Sequence, residues 1–405
     1  MKIAFSPPYI DKDVLEEVQD TLQSGWITTG PKVKLLESET AKLASVKYAL
    51  CVNSATSGLM LAMHWFGIGP GDEVIIPAYT YAATALAVIH LGAKPVMADV
   101  NPDFNINVDS VKKAITKFTK AIIPVDIAGL PCDYQELLDL ISSPEIKSSF
   151  NPQNEEQMKL GRILLLSDAA HSLGAVYKNK PSASIADLSV FSFHAVKNVT
   201  TAEGGAICIS LPKSFSESDV YAKMRLMTLN GQTKDAYSKS KVGGWRYDIV
   251  LLGFKMNMPD VCAALGLAQI RKYKDQLLIE RKRVAMQYLD RLRQYSWAIT
   301  PTLKNQDKES SYHVFALRIA GFTENQRDRL IEKISKKDVS VNVHFIPLPM
   351  LKYFSDSGYR IDDYPNAYNC YKGEISLPIY PQMTSEMVDF VVKTLADSYN
   401  NVSCI

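Results

Sequence analysis

The sequence has no apolar run long enough to cross a bilayer: its most apolar stretch, residues 82–91, is about half of the roughly 20 residues a spanning helix needs. Cysteine is sparse and scattered. Cys51, Cys132, Cys208, Cys262, Cys370 and Cys404 form no Cys-x-x-Cys pair, which excludes a zinc ribbon or a disulfide framework and leaves reduced structural thiols. Neither sign of charge is in excess, since 45 Lys plus Arg face 43 Asp plus Glu for a net of +2. No large basic field exists to condense on nucleic acid or anionic lipid, and neither is expected as a partner. The opening Met1-Lys2-Ile3-Ala4-Phe5-Ser6-Pro7-Pro8 lacks the continuous apolar core of a secretion signal, so the protein is expected in the cytoplasm. The six histidines, His64, His90, His171, His194, His313 and His344, show no ligand spacing, and no metal site is expected. Internal repeats and low-complexity tracts are also missing.

What is present is ordinary globular material: 405 residues, 47% hydrophobic and 22% charged, enough for two or three folding units. From residue 48 onward short apolar runs alternate with helical patterns, the signature of a mostly parallel sheet covered by helices. Strands are expected at 48–52, 73–77, 95–100, 121–125, 163–167, 188–193 and 206–209, with helices at 57–66, 84–91, 110–117 and 133–141. Ahead of the sheet, Asp11 is placed to cap a helix with Val14, Leu15, Val18 and Leu22 on one face, and a second helical pattern follows Pro31. Such arms usually pack on a partner. Residues 142–162 turn polar and read as a surface excursion. A long helix is expected over 261–293, then a smaller α+β unit with strands near 313–319 and 339–345 and a closing helix from Ser385. The chain thus divides into a large α/β domain with an N-terminal arm, 1–258, and a smaller C-terminal domain, 259–405.

Open α/β sheets bind ligands at the carboxyl ends of their strands, and four such places stand out. Asn53-Ser54-Ala55-Thr56-Ser57-Gly58 would open a helix, either as a plain N-cap or as a cradle of free N–H groups for an anion. Ala78-Tyr79-Thr80-Tyr81 puts aromatics at the same edge, as core or as a platform for a planar ligand. Asp168-Ala169-Ala170-His171 sends an acid directly out of an aliphatic strand, where it needs a cationic or protonated partner. Finally, Phe191-Ser192-Phe193-His194-Ala195-Val196-Lys197 brings a lysine close behind an apolar strand. Desolvation there would lower its pKa and free the amine for a Schiff base, although a surface lysine is the commoner fate of any one Lys. Together the four fit a phosphorylated pyridine aldehyde, pyridoxal 5'-phosphate (PLP), with a carrier lysine. No Gly-x-Gly-x-x-Gly turn marks a dinucleotide site.

At these residues, and at Ser24-Gly25-Trp26-Ile27-Thr28-Thr29-Gly30-Pro31 and Gly71-Asp72-Glu73-Val74-Ile75, the sequence resembles the DegT-type, fold-type I PLP-dependent aminotransferases of nucleotide-linked keto sugars, over nearly its whole length. The resemblance implies a seven-stranded, mostly parallel sheet sandwiched by helices, with a smaller α+β domain. It implies Lys197 as the carrier lysine, Asp168 as partner of the pyridine nitrogen, Tyr81 as the stacking aromatic and His171 beside the ring. By the same likeness Thr56, Ser57 and Ser192 hold the phosphate, and a second subunit of a homodimer closes the site through Lys255 or Asn257 of Gly253-Phe254-Lys255-Met256-Asn257. Thr28 and His344 are implied as substrate contacts, the latter in Asn342-Val343-His344-Phe345.

Ser-Phe-His-x-x-Lys followed by Thr-x-Ala-Glu-Gly-Gly is most similar to members that aminate C4, those of the UDP-4-amino-4-deoxy-L-arabinose and pseudaminic-acid routes. The implied reaction moves an amino group from L-glutamate to a nucleotide-linked keto sugar for cell-surface glycans. Ser167, Asp126 and Asn230 depart from the family pattern and are expected to face the donor or sugar. Other readings are a PLP-dependent sugar dehydratase, disfavoured because Lys197 is intact, and a non-enzymatic PLP-binding regulator.

Overall fold

The computed structural model describes residues 1–234 and 245–403, so Cys404 lies outside the described residues, while the other five cysteines are free thiols. Strands β1 (Tyr48–Val52), β2 (Glu73–Pro77), β3 (Lys94–Ala98), β4 (Thr119–Ile122) and β5 (Leu164–Asp168) precede a small hairpin, β6 (Val176–Tyr177) and β7 (Lys180–Pro181). Then come β8 (Leu188–Ser192) and β9 (Gly205–Ile209). The main sheet has the order β1-β9-β8-β5-β4-β2-β3, parallel throughout except at β9, which runs antiparallel to both neighbours. That one reversal matters for function. Because β9 returns beside β8, the connection between them, which carries Lys197, stays at the carboxyl edge of the sheet. Strand β5 is the parallel neighbour of β8, so its terminal Asp168 reaches that same edge one strand away.

Helices α1 (Lys12–Gln23), α2 (Pro31–Ala44), α3 (Ala55–Trp65) and α4 (Ala82–His90) start where the sequence signals them or slightly earlier. Asp11 caps α1 by accepting the Val14 N–H at 3.2 Å, and Ser54 caps α3 by accepting that of Ser57 at 3.0 Å. For α2 the cap comes from far away: the Asp260 carboxylate accepts the N–H groups of Gly30 at 2.8 Å and Val33 at 3.0 Å. Both arm helices therefore pack on the helix that begins at Asp260 in the same chain. Leu15 and Leu22 of the expected apolar face of α1 are exposed all the same.

One expectation gains detail and two need correction. Residues 142–162 hold two short helices, Pro144–Ser149 and Glu155–Leu160, and their polar composition has a use: Asn154 and the buried Gln157 both donate to the Phe66 carbonyl at the end of α3, at 3.0 Å each. Strand β4 stops at Ile122 because Pro124 has no N–H to continue the ladder. Residues 339–345 form only isolated bridges, Ile3 with Val339 and Asn342 with Ser376, since the His344 N–H goes to the Glu374 carboxylate and Val343 to the Asn342 side chain. The C-terminal sheet instead joins β10 (Ala298–Ile299), β12 (Phe315–Ile319) and β13 (Glu374–Leu377), while β11 (Lys308–Glu309) pairs with β6.

The long helix runs without a gap but changes type, α over Asp260–Lys272, π over Tyr273–Leu277 and α again over Leu278–Leu292. Its first part packs with the α2 and β1 core, through Ala263 and Leu267, and its last part with the C-terminal core, through Val284 and Leu292. Ile3 is fully buried in that C-terminal core, which draws the N-terminal segment across the front of the sheet. Among the described residues no helix is long and apolar enough to cross a membrane.

A buried ion pair ties the strands that matter at their opposite ends. Arg162, just before β5, makes a two-point bond to Asp187, just before β8, at 2.7 and 2.8 Å, and Asp187 also accepts the Leu165 N–H at 2.9 Å. Asp187→Ala strands a buried guanidinium and is expected to lower unfolding stability by about 3–5 kcal/mol, read from the urea midpoint at unchanged slope. A loss below about 1 kcal/mol would show that solvent reaches the pair.

Candidate active site

A cavity of about 560 Å³ opens at the carboxyl edge of the sheet, a size that suits a cofactor with part of a substrate. Thr56, Tyr81, Asp168, His171, Ser192, Lys197 and His344 all line it. Residues from both ends of the sequence thus converge on one wall.

The floor is set by β5 and β8. Asp168 is 6% exposed, its Oδ2 accepting from the Thr84 hydroxyl at 2.8 Å and its Oδ1 from the Ala170 N–H at 3.2 Å. Burial raises its pKa, and the two hydrogen bonds and the nearby Lys197 charge only partly offset that. Burial pulls Lys197 down to about 8, with Asp168 opposing the fall. Among the described residues no cation reaches ion-pair distance of Asp168, so its carboxylate is under-compensated in the way a protonated ring nitrogen would correct.

The loop that holds Lys197 is fixed from below. Asn198 donates to the Tyr273 hydroxyl at 2.9 Å and to the Ser311 carbonyl at 3.0 Å, and its Oδ1 lies 2.8 Å from His313 Nδ1. Tyr273 opens the π-turn, which brings a helix from the other side of the molecule against this loop. With both amide hydrogens committed, Asn198 accepts from His313 Nδ1–H. His171 Nδ1 in turn accepts the Ala128 N–H at 3.2 Å, so its remaining proton sits on Nε2. Burial first, then the charges of Lys197 and His344, hold His171 well below its usual pKa, and it is a neutral ring against His313, 4.5 Å away.

The anion end is the start of α3. Ser54, Ala55 and Thr56 line the cavity beside Ser192, where the first-turn N–H groups and the helix dipole favour a negative charge. Gly205 makes this close approach feasible: a Cβ there would lie 2.6 Å from the Phe191 carbonyl and 2.8 Å from the Ala55 nitrogen. Ser57 lies outside the cavity wall, its hydroxyl 2.9 Å from that of Ser54, which faces the cavity in its place. Tyr81 is 63% exposed at the mouth, with Phe345 5.6 Å from it and 5.8 Å from His171.

Three expected residues lie away from this cavity in their own chain. Thr28 uses its carbonyl to accept the Asp260 N–H at 3.2 Å. Asn257 donates its amide to Thr29 at 2.6 Å and pairs with Val52, whereas Lys255 is exposed. The three departures from the family pattern also lie off this cavity in their own chain. Asp126 is fully buried and accepts from Tyr134 and Cys132 at 2.8 Å, Ser167 is likewise turned to Tyr134, and Asn230 turns the chain at φ 60° with its N–H on Phe254. None of them lines the cavity.

Sequence reasoning missed His313, Phe5 and Thr84, and named Ser54 only within the segment 53–58. His313 and Phe5, which stacks on His344 at 5.4 Å, reach the site only through tertiary folding, and no local pattern announces them. Ser54 was legible as the N-cap.

The sequence matches the DegT/DnrJ/EryC1/StrS aminotransferase family over residues 8–148 and 155–396. The chain belongs to that family. It is 36% identical over 404 residues to the spore coat polysaccharide biosynthesis protein SpsC of Bacillus subtilis (strain 168), covering 98% of this chain and 96% of that one. It is 32% identical over 406 residues, 97% of each chain, to the UDP-4-amino-4-deoxy-L-arabinose--oxoglutarate aminotransferase of Shewanella sediminis. Among solved structures, the PLP form of Spr1654 from Streptococcus pneumoniae, named as a sugar aminotransferase, is 39% identical with a TM-score of 0.94, covering 99% of this chain and 100% of that one. The α/β sheet architecture is therefore that of the PLP-dependent aminotransferases, and the donor set around the cavity, an amine, an under-compensated acid and a helix start, fits PLP.

The lowered Lys197 pKa gives a direct test on the cofactor-free chain. A group whose ammonium is destabilised loses its proton at lower pH. Trapping by propanal and borohydride, followed at the Lys197 peptide by mass spectrometry, is expected to reach half its maximum near pH 8, while surface lysines follow the ordinary value of about 10.4. Parallel curves for both would show that Lys197 is solvated.

Proposed function

We propose that this aminotransferase moves an amino group from L-glutamate to the C4 keto carbon of a nucleotide-linked sugar destined for a cell-surface glycan. The observation that carries the reading is the pairing of a lowered-pKa lysine, on the connection after β8, with a buried acid at the end of the neighbouring β5, in a cavity that a helix start also lines. The names of the relatives above support the sugar class.

PLP, when bound, supplies a protonated pyridine ring that draws electrons from the reacting carbon and an aldehyde carbon that carries the amino group between substrates. Each protein residue then has a definite task. Lys197 holds the cofactor in the resting enzyme, and its freed neutral amine takes the proton from the donor's α-carbon and returns one to the acceptor carbon. Asp168 keeps the ring nitrogen protonated, and Thr84 holds Asp168 in place. Thr56 and Ser192, with the α3 N–H groups and Ser57 completing the cap, hold the phosphate. Tyr81 and His171 flank the ring, and the apolar neighbours Phe345 and Val125 keep water out. Thr28 and His344 contact the substrate, Thr28 from the second copy.

A homodimer with shared sites completes the reading. Lys197 is the sole Lys or Arg among the described residues lining the cavity, too few cations for a dicarboxylate donor or a nucleotide diphosphate. The exposed Lys255 meets that need from a second copy better than Asn257, whose amide is occupied within its own chain. Exposed apolar side chains nearby, Trp245, Ile249, Val250 and Leu252, supply a face for the contact.

Incubation with glutamate and a panel of UDP-, dTDP- and GDP-linked 4-keto and 3-keto sugars, followed by mass spectrometry, is expected to show gain of an amine on a 4-keto sugar. Amination of none of the panel would overturn the substrate class. Lys197→Ala is expected to abolish turnover, and Asp168→Ala to lower it by at least about 10²-fold with weaker cofactor retention. For the shared site, mixing Lys197→Ala subunits with subunits carrying Lys255→Ala is expected to restore part of the activity that neither variant has alone, and no recovery in proven hybrids would place the site within one chain.

A further inference from the structure

Behind the cavity wall a three-residue chain of polar groups runs from the site into the C-terminal sheet. His344 lines the cavity, and its Nδ1 lies 2.8 Å from the Ser376 hydroxyl. That hydroxyl lies 2.5 Å from Glu374 Oε1, and Glu374 Oε2 accepts the backbone N–H of His344 at 3.0 Å. Glu374 and Ser376 sit two residues apart on β13, so both side chains leave the same face of the strand. Glu374 is fully buried, as is Ser376. The backbone of His344 is pinned separately, its carbonyl accepting from the Tyr79 hydroxyl at 2.7 Å.

We infer that Glu374, acting through the Ser376 hydroxyl, is a positioning residue that fixes the proton of the His344 imidazole on Nε2, so that His344 presents an N–H donor to an oxygen on the sugar side of the substrate. This rests on the reading of His344 as a substrate contact.

The direction of the chain follows from counting protons. A serine hydroxyl has one hydrogen, so it donates either to the histidine or to the acid. Glu374 decides which. The charged and titratable groups around it are Arg327 from the helix Glu324–Ser335, Arg318 opposite it on β12 with its guanidinium over the Phe104 ring at 5.7 Å, Tyr79 after β2, Tyr371 and His344 itself. The Arg327 guanidinium is spent on the Tyr371 and Glu374 carbonyls and on the Asp328 carboxylate, so it forms no ion pair with the Glu374 side chain. With no ion pair, and with two hydrogen bonds and the Arg327 charge only partly offsetting its removal from water, the Glu374 carboxyl keeps its proton at neutral pH. Burial does push it up to about 8, and the same burial holds His344 down to about 4, so the ring is neutral. The acid therefore donates to Ser376, Ser376 donates to Nδ1, and the single ring proton of His344 is left on Nε2. A keto sugar and its diphosphate offer oxygen acceptors throughout, which a bare nitrogen would repel and an N–H would hold.

The test reads the tautomer directly. In ¹⁵N-histidine-labelled apoprotein, with the signal assigned by its loss in His344→Ala, the ring at pH 7 is expected as the Nε2–H form. Ser376→Ala is expected to give a mixture of the two tautomers and an about tenfold rise in KM for the keto sugar. Its glutamate half-reaction, followed by the cofactor absorbance, is expected to keep its wild-type rate. Glu374→Gln, whose amide N–H replaces the acid's O–H, is expected to restore the tautomer that Glu374→Ala loses. An Nδ1–H ring in the wild type, or an unchanged tautomer in Ser376→Ala, overturns the relay. A tautomer change with unaltered sugar KM overturns the sugar-side role and leaves the transamination itself standing, because the panel assay measures that independently.

Discussion

A half-buried amine on the loop after β8 and a buried carboxyl group at the end of the neighbouring β5 govern the rest of this structure. Removing either charge from water costs several kcal/mol, and neither Lys197 nor Asp168 is fully compensated by the groups around it. The fold meets that cost with rigidity elsewhere. The Arg162–Asp187 pair locks β5 to β8 at the far end, the ladder between them sets the separation, and Asn198 with Tyr273 clamps the loop that follows. The imbalance left at the site is what a protonated pyridine ring and an aldehyde can relieve. Affinity for the cofactor and its chemistry thus come from the same uncompensated burial.

The cavity is layered by chemistry. Its floor carries charge, at Lys197 and Asp168. Its far end carries the dipole of α3, held by the Ser54 cap and by the absence of a side chain at Gly205. Its side wall is a cluster of neutral rings, His171, His313, His344 and Phe345, each histidine kept uncharged by burial and held in a defined tautomer by a neighbour. Three imidazoles so close would repel one another if protonated, and the Ala128 N–H, the Asn198 amide and the Ser376 hydroxyl make neutrality structural.

Much of this was legible in the sequence, for a physical reason. Strand edges and helix starts are local: β1 and β2 have the expected bounds, Asp11 caps the helix expected after it, residues 53–58 open a helix as expected, and the acid and lysine that follow apolar strands reach the cavity. Where the reading failed, a long-range partner had replaced a local one. Alternation over 339–345 pointed to a strand, yet the N–H of His344 prefers a carboxylate on β13 to a ladder. The polar segment 142–162 is the surface excursion it reads as, and only the fold shows that its amides serve the end of α3, far off in sequence.

The sequence by itself determined the elements of the sheet, the order of its chemistry-bearing motifs and the family those motifs mark, because capping, periodicity and the residues that end strands act over a few neighbouring positions. The tertiary structure alone decided which side chains meet. It set Asp260 on the start of α2, His313 beside His171 and Glu374 behind His344. It also set Asp126 and Ser167 on the Tyr134 hydroxyl, off the cavity wall of their own chain. Those pairings depend on the packing of segments hundreds of residues apart, and on which buried polar groups find a partner there, and no local pattern carries that information.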